Sequence, residues 1–411
     1  QVPPSASRAP WFEPPPAHDG ARRAIVVGAG ISGCAAAEAL ARRQWTVHLV
    51  DRHAAPAGEA SGNLAGILRP YINADLSPES QFHLAAFEYA RHVVSRVAPE
   101  HWFESGVLEL ADPLRRERVE ALGLPADVVR TVDGGEATAL AGLPATGGGV
   151  YYPAAGWLRP AGFCEGLLTA AGESLRTHYG HALEALSWDA GQWSLRLDNG
   201  ERLRAPVVIL ANGADALRWI DLPAVTLQSV RGQLVYLRPD PVSAALRLPL
   251  CGDAYVIPAD NGAHCVGATF DVGDTERRPR ASDRERLLAD LYEALPALAG
   301  LQQVVGERVA FRVMSRDHLP LMGGVPDSAF YLDHYHDLVR GRSARSYPQA
   351  EYSGGLFVNI AQGARGLSTA LLGAELIAAQ LNDEPWPLSF TLAATVHPAR
   401  FLIRNLKRPE L

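Results

Sequence analysis

The chain has 411 residues, 47% of them hydrophobic, and a formal net charge of −7 at pH 7. That length predicts two or three domains with real cores. The mild acidity excludes a protein that binds nucleic acid through its overall charge, so any such partner needs a local basic patch.

Residues 1–22 run through Gln1-Val2-Pro3-Pro4 and Pro14-Pro15-Pro16 and are expected to form an extended linker. The chain does not begin with methionine and is expected to be one part of a longer protein. A continuous apolar run at 24–27 suits a parallel strand covered on both faces. Glycines follow, then an Ala-rich helix at 34–43 and a second apolar strand at 46–50 that ends on Asp51, together a βαβ beginning. The pattern is helical between about 70 and 99, most clearly from Phe82 onward. Alternation across 193–203 around Asp198-Asn199-Gly200 predicts a hairpin. Val207-Val208-Ile209-Leu210 predicts another buried strand, closed by Ala211-Asn212-Gly213-Ala214.

From 231 to 314 short strands are predicted at 233–237, 254–258, 264–269 and 307–312, with one helix at 283–295, as in a separate mixed sheet. The polar stretch 328–352 reads as a long surface insertion. A core strand at 356–360 and a helix at 366–381 close the pattern. No apolar stretch reaches the roughly 18–20 residues that span a bilayer, and no signal-peptide pattern opens the chain. Cys34, Cys164, Cys251 and Cys265 are too sparse for a disulfide framework and are expected to be reduced thiols in a cytoplasmic protein.

Gly28-Ala29-Gly30-Ile31-Ser32-Gly33 sits between the first strand and helix and matches the dinucleotide fingerprint. Gly28 permits the tight turn, Gly30 lets the backbone approach a pyrophosphate, and Gly33 allows close helix–strand packing. The amides at Ile31 and Ser32 open the helix and favour anions. Asp51, followed by Arg52, is placed to accept hydrogen bonds from an adenosine ribose. Ser61-Gly62-Asn63, soon after, supplies the small and polar groups that an extended flavin cofactor needs. Gly363-Ala364-Arg365-Gly366-Leu367-Ser368 lies between a strand and a helix and can aim amides at the electron-rich edge of a reduced flavin. These features select FAD over NAD.

Together with Ala211 to Gly213 at a strand end, they resemble the D-amino-acid oxidase and glycine oxidase superfamily. Within it, Ser61-Gly62-Asn63 through Tyr71, Ser315-Arg316-Asp317-His318-Leu319-Pro320, 362–367 and Glu384-Pro385 resemble the flavin domain of the bifunctional tRNA 5-methylaminomethyl-2-thiouridine biosynthesis proteins. His397-Pro398-Ala399-Arg400-Phe401 and Pro10-Trp11-Phe12 fit the same pattern, which covers nearly the whole chain. Ala361-Gln362 departs from it, since many relatives carry further glycine there.

The resemblance implies an α/β fold: a Rossmann-like FAD-binding domain with an inserted α+β substrate domain carrying a mixed, largely antiparallel sheet. The expected division is a linker at 1–22, an FAD-binding domain from 23–95, 150–230 and 353–390, a substrate domain from 96–149 and 231–352, and a basic tail at 391–411. The implied reaction removes the carboxymethyl group from 5-carboxymethylaminomethyl-(2-thio)uridine at the tRNA wobble position. A fused or separate methyltransferase is then expected to act on the exposed amine. A neutral secondary amine can donate hydride from its α-carbon to the flavin, which oxygen would reoxidise, and water hydrolyses the imine to free amine and glyoxylate; no metal and no protein nucleophile is needed. Oxidation of a free small amine such as glycine or sarcosine, or a flavin-binding scaffold without turnover, are the other readings.

The substrate carboxylate calls for a guanidinium. By resemblance this is Arg312, seven residues before Leu319-Pro320, with Arg365 as a second candidate and Arg231 behind them. His83, His101 and His318 read as structural. Arg340, Arg342 and Arg345, with Arg400, Arg404, Lys407 and Arg408, are the local basic runs that phosphate contacts would use.

Overall fold

The computed structural model describes residues 9–73 and 75–408, so Gln1-Val2-Pro3-Pro4 of the expected linker and 409–411 of the expected tail lie outside it. The chain divides into two compact units. One holds the described residues up to Gly58, then Cys164–Gln228 and those from Val313 on; the other holds Glu59–Phe163 and Ser229–Arg312.

The first unit is built on a six-stranded sheet. Its strands are β1 (Arg23–Val27), β2 (Thr46–Asp51), β3 (Leu175–Tyr179), β4 (Val207–Leu210), β5 (Leu321–Pro326) and β6 (Tyr352–Ile360), in the order β5-β6-β4-β1-β2-β3. All neighbours are parallel except β5 on β6. The order reverses at β1, and ligands of such sheets gather at the carboxyl ends of the strands beside that switch point. Alternation along the strands sends Ile25, Val27, Val208, Leu210, Leu356 and Val358 into a core shared with Trp193, Leu195, Leu197 and Leu203 of a three-stranded antiparallel sheet. Each such fully buried side chain contributes about 1.5–3 kcal/mol. Helices α1 (Ile31–Ala41) and α2 (Gly366–Leu381) pack on each other and on the sheet. Gly373 allows that approach, since a Cβ there would lie 2.5 Å from Asn359 Oδ1. Arg43 ties the two helices by ion pairs to Glu375 and Glu384, at 2.7 and 2.6 Å.

The second unit carries a mixed nine-stranded sheet and a small three-stranded one. Leu250–Cys251 pairs parallel with Val107–Leu110, while Leu227–Leu237 with Ala263–Gly267, Tyr255–Asp260 with Ala263–Gly267, and Gly149–Tyr152 with both Val107–Leu110 and Arg130–Val132 pair antiparallel. Helix Ala281–Ala294 covers it through Leu287 and Leu291, which share a core with Val235, Val256 and Val266.

Four expectations are corrected. The stretch 328–352 is no loose insertion: Tyr331, Tyr335 and Leu338 are buried with Trp11, Leu402 and Ile403, and the Tyr331 hydroxyl donates to the Trp11 carbonyl at 2.8 Å. Its apolar contacts come from tyrosine rings, so the stretch looks polar in sequence. For the same reason Pro10–Phe12 is a docked 3-10 turn rather than linker. The stretch from 391 is not a tail but two helices, Phe390–Val396 and Arg400–Lys407, with Phe401 in the main core. Finally, 59–95 and 150–163 belong to the second unit and 313–352 to the first, so both boundaries differ from those expected.

Candidate functional site

At the end of β1 the chain turns through Gly28, whose φ of 102° suits only glycine. A Cβ at Gly33 would lie 1.7 Å from the Gly28 carbonyl oxygen, so α1 can sit this close to the turn only without a side chain there. Gly30 is the extended N-cap of α1, and Ile31 and Ser32 open the helix. Asp51 closes β2. Its Oδ2 accepts from Ala29 N at 2.6 Å, and its Oδ1 from His53 N at 2.7 Å, with His53 Nδ1 at 2.9 Å. A carboxylate so fixed still has lone pairs for a ribose hydroxyl. Arg52 instead makes an exposed ion pair with Asp215, at 2.8 Å.

Ala211 N donates to the Val27 carbonyl at 2.8 Å and brings the β4 end beside the turn. Gly213 follows with φ 64°. Between them Asn212 Oδ1 is buried without a hydrogen-bond partner. Sequence reasoning singled out the flanking residues and missed this one.

The second glycine turn lies after β6. Ala361 takes φ 61°, in the left-handed region that glycine normally serves, and Gly363 takes 58°. Side chains hold the turn in place of glycine freedom. Gln362 Nε2 donates to Asn359 Oδ1 at 2.7 Å, Asn359 Nδ2 to the Ala370 carbonyl at 2.9 Å, and Thr369 Oγ1 to Gln362 Oε1 at 2.7 Å. Arg365 is the N-cap of α2, its carbonyl accepting from Ser368 Oγ at 3.0 Å. Gly366 opens α2, followed by Leu367, and a Cβ on Gly366 would stand 3.7 Å from Ile31 Cγ2. Two helix N-termini therefore lie side by side, each with the partial positive charge of a helix start. A bare buried acceptor, a turn that excludes side chains and paired anion-favouring helix ends fit an elongated dinucleotide with a diphosphate.

In the other unit, Ser61 and Gly62 belong to the 3-10 turn Ala60–Gly62, and the buried Oδ1 of Asn63 has no hydrogen-bond partner. Arg308 secures this turn by donating to the Glu59 carbonyl at 2.8 Å.

Arg312 lies on the strand Val304–Ser315. Its Nη1 donates to the Thr269 carbonyl at 3.0 Å and its Cζ stands 5.9 Å from the Phe270 ring. Among the described residues no carboxylate lies within ion-pair distance of it. Burial lowers its pKa, against which Tyr255 and Asp271 pull upward. Gly232 makes room for it, since a Cβ there would lie 2.7 Å from Nη1. Arg231 behind it is fully used: it is wholly buried, with Asp283 at 2.6 Å and Gln233 at 3.0 Å.

His83 is buried beside the Tyr71 and Phe82 rings, His101 lies beside Glu100, and His318 is exposed. Of the basic residues, Arg400 is withdrawn from solvent. It is 5% exposed and bonds Asp317 and the carbonyls of Leu319 and Pro320, so it is structural rather than a phosphate contact. Among the described residues no cluster of three ligating side chains forms a metal site, and no helix is long and apolar enough to cross a membrane.

The family profile described as FAD dependent oxidoreductase matches residues 23–380. The chain is 37% identical, over 97% of its length and 62% of the relative's, to the tRNA 5-methylaminomethyl-2-thiouridine biosynthesis bifunctional protein MnmC of Stutzerimonas stutzeri. It is 40% identical to the protein of that name from Burkholderia cenocepacia, over 97% of this chain and 64% of the relative. The chain thus spans about three fifths of the length of these relatives. In fold it resembles the glycine oxidase of Geobacillus kaustophilus, with a TM-score of 0.74 at 21% identity over 92% of this chain and 99% of that one. Iminodiacetate oxidase from Chelativorans sp. BNC1 gives 0.71 at 22% identity, over 89% and 97%. With the profile running from β1 to the last turn of α2, the chain belongs to the FAD dependent oxidoreductase (DAO) family and is a flavoenzyme with FAD as its cofactor.

Proposed function

We propose that this is a cytoplasmic enzyme acting on a CH–NH bond, removing the carboxymethyl group from 5-carboxymethylaminomethyl-(2-thio)uridine at the tRNA wobble position to leave 5-aminomethyl-(2-thio)uridine. A methyltransferase, fused or separate, is its partner in the next step. The observation that carries the chemistry is the half-buried Arg312 guanidinium with no carboxylate partner among the described residues. Leaving a charge so placed unpaired is costly, and a substrate carboxylate relieves that cost. The RNA substrate is supported by the relatives, whose name describes biosynthesis of a tRNA nucleoside and which match nearly the whole chain.

Bound FAD supplies a two-electron oxidation of the C–N bond. Gly28, Gly30, Ile31, Ser32 and Gly33 take the diphosphate, and Asp51 the ribose, with Arg52 at the rim. Ala211 and Gly213 would meet the cofactor beside the Gly28 turn, and Ser61, Gly62 and Asn63 are proposed as further cofactor contacts. Gly363, Gly366, Leu367 and Ser368 present the start of α2, with Arg365 capping it, toward the flavin. Arg312 holds the carboxylate and so orients the carbon that is oxidised.

The test is anaerobic mixing of the FAD-loaded protein with tRNA bearing carboxymethylaminomethyluridine, followed by flavin absorbance and nucleoside mass. Bleaching with loss of the carboxymethyl mass is expected. Bleaching by glycine or sarcosine and not by the RNA would reassign the enzyme to small amines. No bleaching by either, with FAD bound, would overturn the enzymatic reading.

A further inference from the structure

Arg312 explains how a carboxylate is held but not how a nucleoside is told from a free amino acid. Beside it, Phe270 is 53% exposed. A single exposed apolar side chain is ordinary; what sets Phe270 apart is how it is held and what it stands next to.

The backbone on both sides of Phe270 is pinned. Thr269 N donates to the Gln233 carbonyl at 3.3 Å, and Gln233 N donates back to Thr269 Oγ1 at 2.9 Å. Asp271 pairs in register with Arg231 and bonds Arg286 at 2.9 Å. Period-two alternation puts Phe270 and the 57%-exposed Val272 on the face opposite Asp271. On that face Gly232 offers no side chain, and the space is taken by the Arg312 guanidinium, whose Cζ is 5.9 Å from the Phe270 centroid. The ring thus presents an exposed apolar surface beside the Arg312 guanidinium, on a backbone hydrogen-bonded on both sides.

Four bonds separate a uracil C5 from the carboxylate carbon of a carboxymethylaminomethyl group, about 5 Å when extended. A base whose carboxylate rests on Arg312 therefore comes within reach of this ring. We propose that Phe270 is the stacking platform for the uracil that carries the reacting group, and so the residue that selects a nucleoside over a bare amino acid. The inference rests on the wobble-uridine reading above. Aromatic stacking suits the task because every base has a π-face.

The test compares wild type, Phe270→Ala and Phe270→Tyr as FAD-loaded proteins. Two probes are used: an anticodon stem-loop bearing carboxymethylaminomethyluridine, and glycolate, a carboxylate without a base, titrated by its perturbation of the flavin spectrum. Phe270→Ala is expected to raise KM for the stem-loop about 5- to 150-fold, to shift the glycolate Kd less than twofold, and to be rescued by Phe270→Tyr. Equal KM in Phe270→Ala and wild type would overturn the platform. So would a parallel loss of glycolate binding, which would mean that Phe270 acts only through Arg312. A wild type that never turns over the stem-loop would instead overturn the wobble-uridine reading, and the platform with it.

Discussion

Gly33 and Gly232 are both glycines for want of space, but the space serves different things. At Gly33 the obstruction is backbone: a Cβ 1.7 Å from the Gly28 carbonyl cannot be accommodated by a rotamer change. Gly33→Ala should therefore displace α1 from the turn, and the purified protein should carry little or no FAD by absorbance. At Gly232 the obstruction is the end of a side chain, the Arg312 guanidinium. Gly232→Ala should keep FAD but push Arg312 off the Thr269 carbonyl, raising substrate KM about tenfold. Arg312→Ala, which removes charge-assisted bonds worth about 3 kcal/mol, should cost roughly 100-fold in kcat/KM with FAD content unchanged. If Gly232→Ala loses FAD instead, the glycine serves the fold and not the guanidinium. The fingerprint glycines were legible because three requirements recur at fixed spacing. The reason for Gly232 was not, since its neighbour Arg312 lies far along the chain.

Helix α2 runs over Gly366–Leu381, the bounds its apolar pattern predicts, and the hairpin around Asp198-Asn199-Gly200 pairs as its alternation predicts. The two helices after Ser389 were hidden because their joint is held by polar groups. His397 Nδ1 accepts from Ala399 N at 3.1 Å and its Nε2 is 3.0 Å from the Tyr352 hydroxyl, which itself donates to the Glu13 carbonyl. The imidazole must therefore carry its one proton on Nε2. Burial, with the Arg400 charge beyond it, lowers its pKa to about 3. The unfolded imidazole takes up a proton below about pH 6.5 while the folded one stays neutral, so the unfolded state binds more protons in that window. Stability is then lost as pH falls from about 6.5 toward 3, at up to about 1.4 kcal/mol per pH unit. Urea midpoints at pH 7, 6 and 5 should fall for the wild type and fall less for His397→Gln, whose amide keeps both bonds without titrating. Parallel slopes in the two proteins would remove His397 as the source.

At the scale of the whole molecule, periodicity told which segments were strands and helices but not which sheet each one joined. The helix Pro78–Val97 has a clear apolar face, yet nothing in that face distinguishes one sheet from the other, and the division falls between Gly58 and Glu59. Charge shows the same gap between pattern and place. A net charge of −7 repels RNA overall, so the proposed tRNA substrate needs a local site, and two basic runs distant in sequence meet in the first unit. The turn Leu338–Arg340 packs on the helix Arg400–Lys407. Not every cation there is available. Arg404 pairs with Asp317 at 3.0 Å, Arg342 with Asp337 at 2.9 Å, and Lys407 lies over the Trp11 ring. Arg340, Arg345 and Arg408 are exposed and carry the prediction. Each phosphate contact releases counterions worth about 0.7–0.9 in the slope of log affinity against log salt. Replacing all three with glutamine should flatten that slope for tRNA by about 2 and weaken binding at low salt most. FAD content and glycolate binding should be unchanged. An unaltered slope would mean that the phosphates are met elsewhere and that this basic face is only a solvated one.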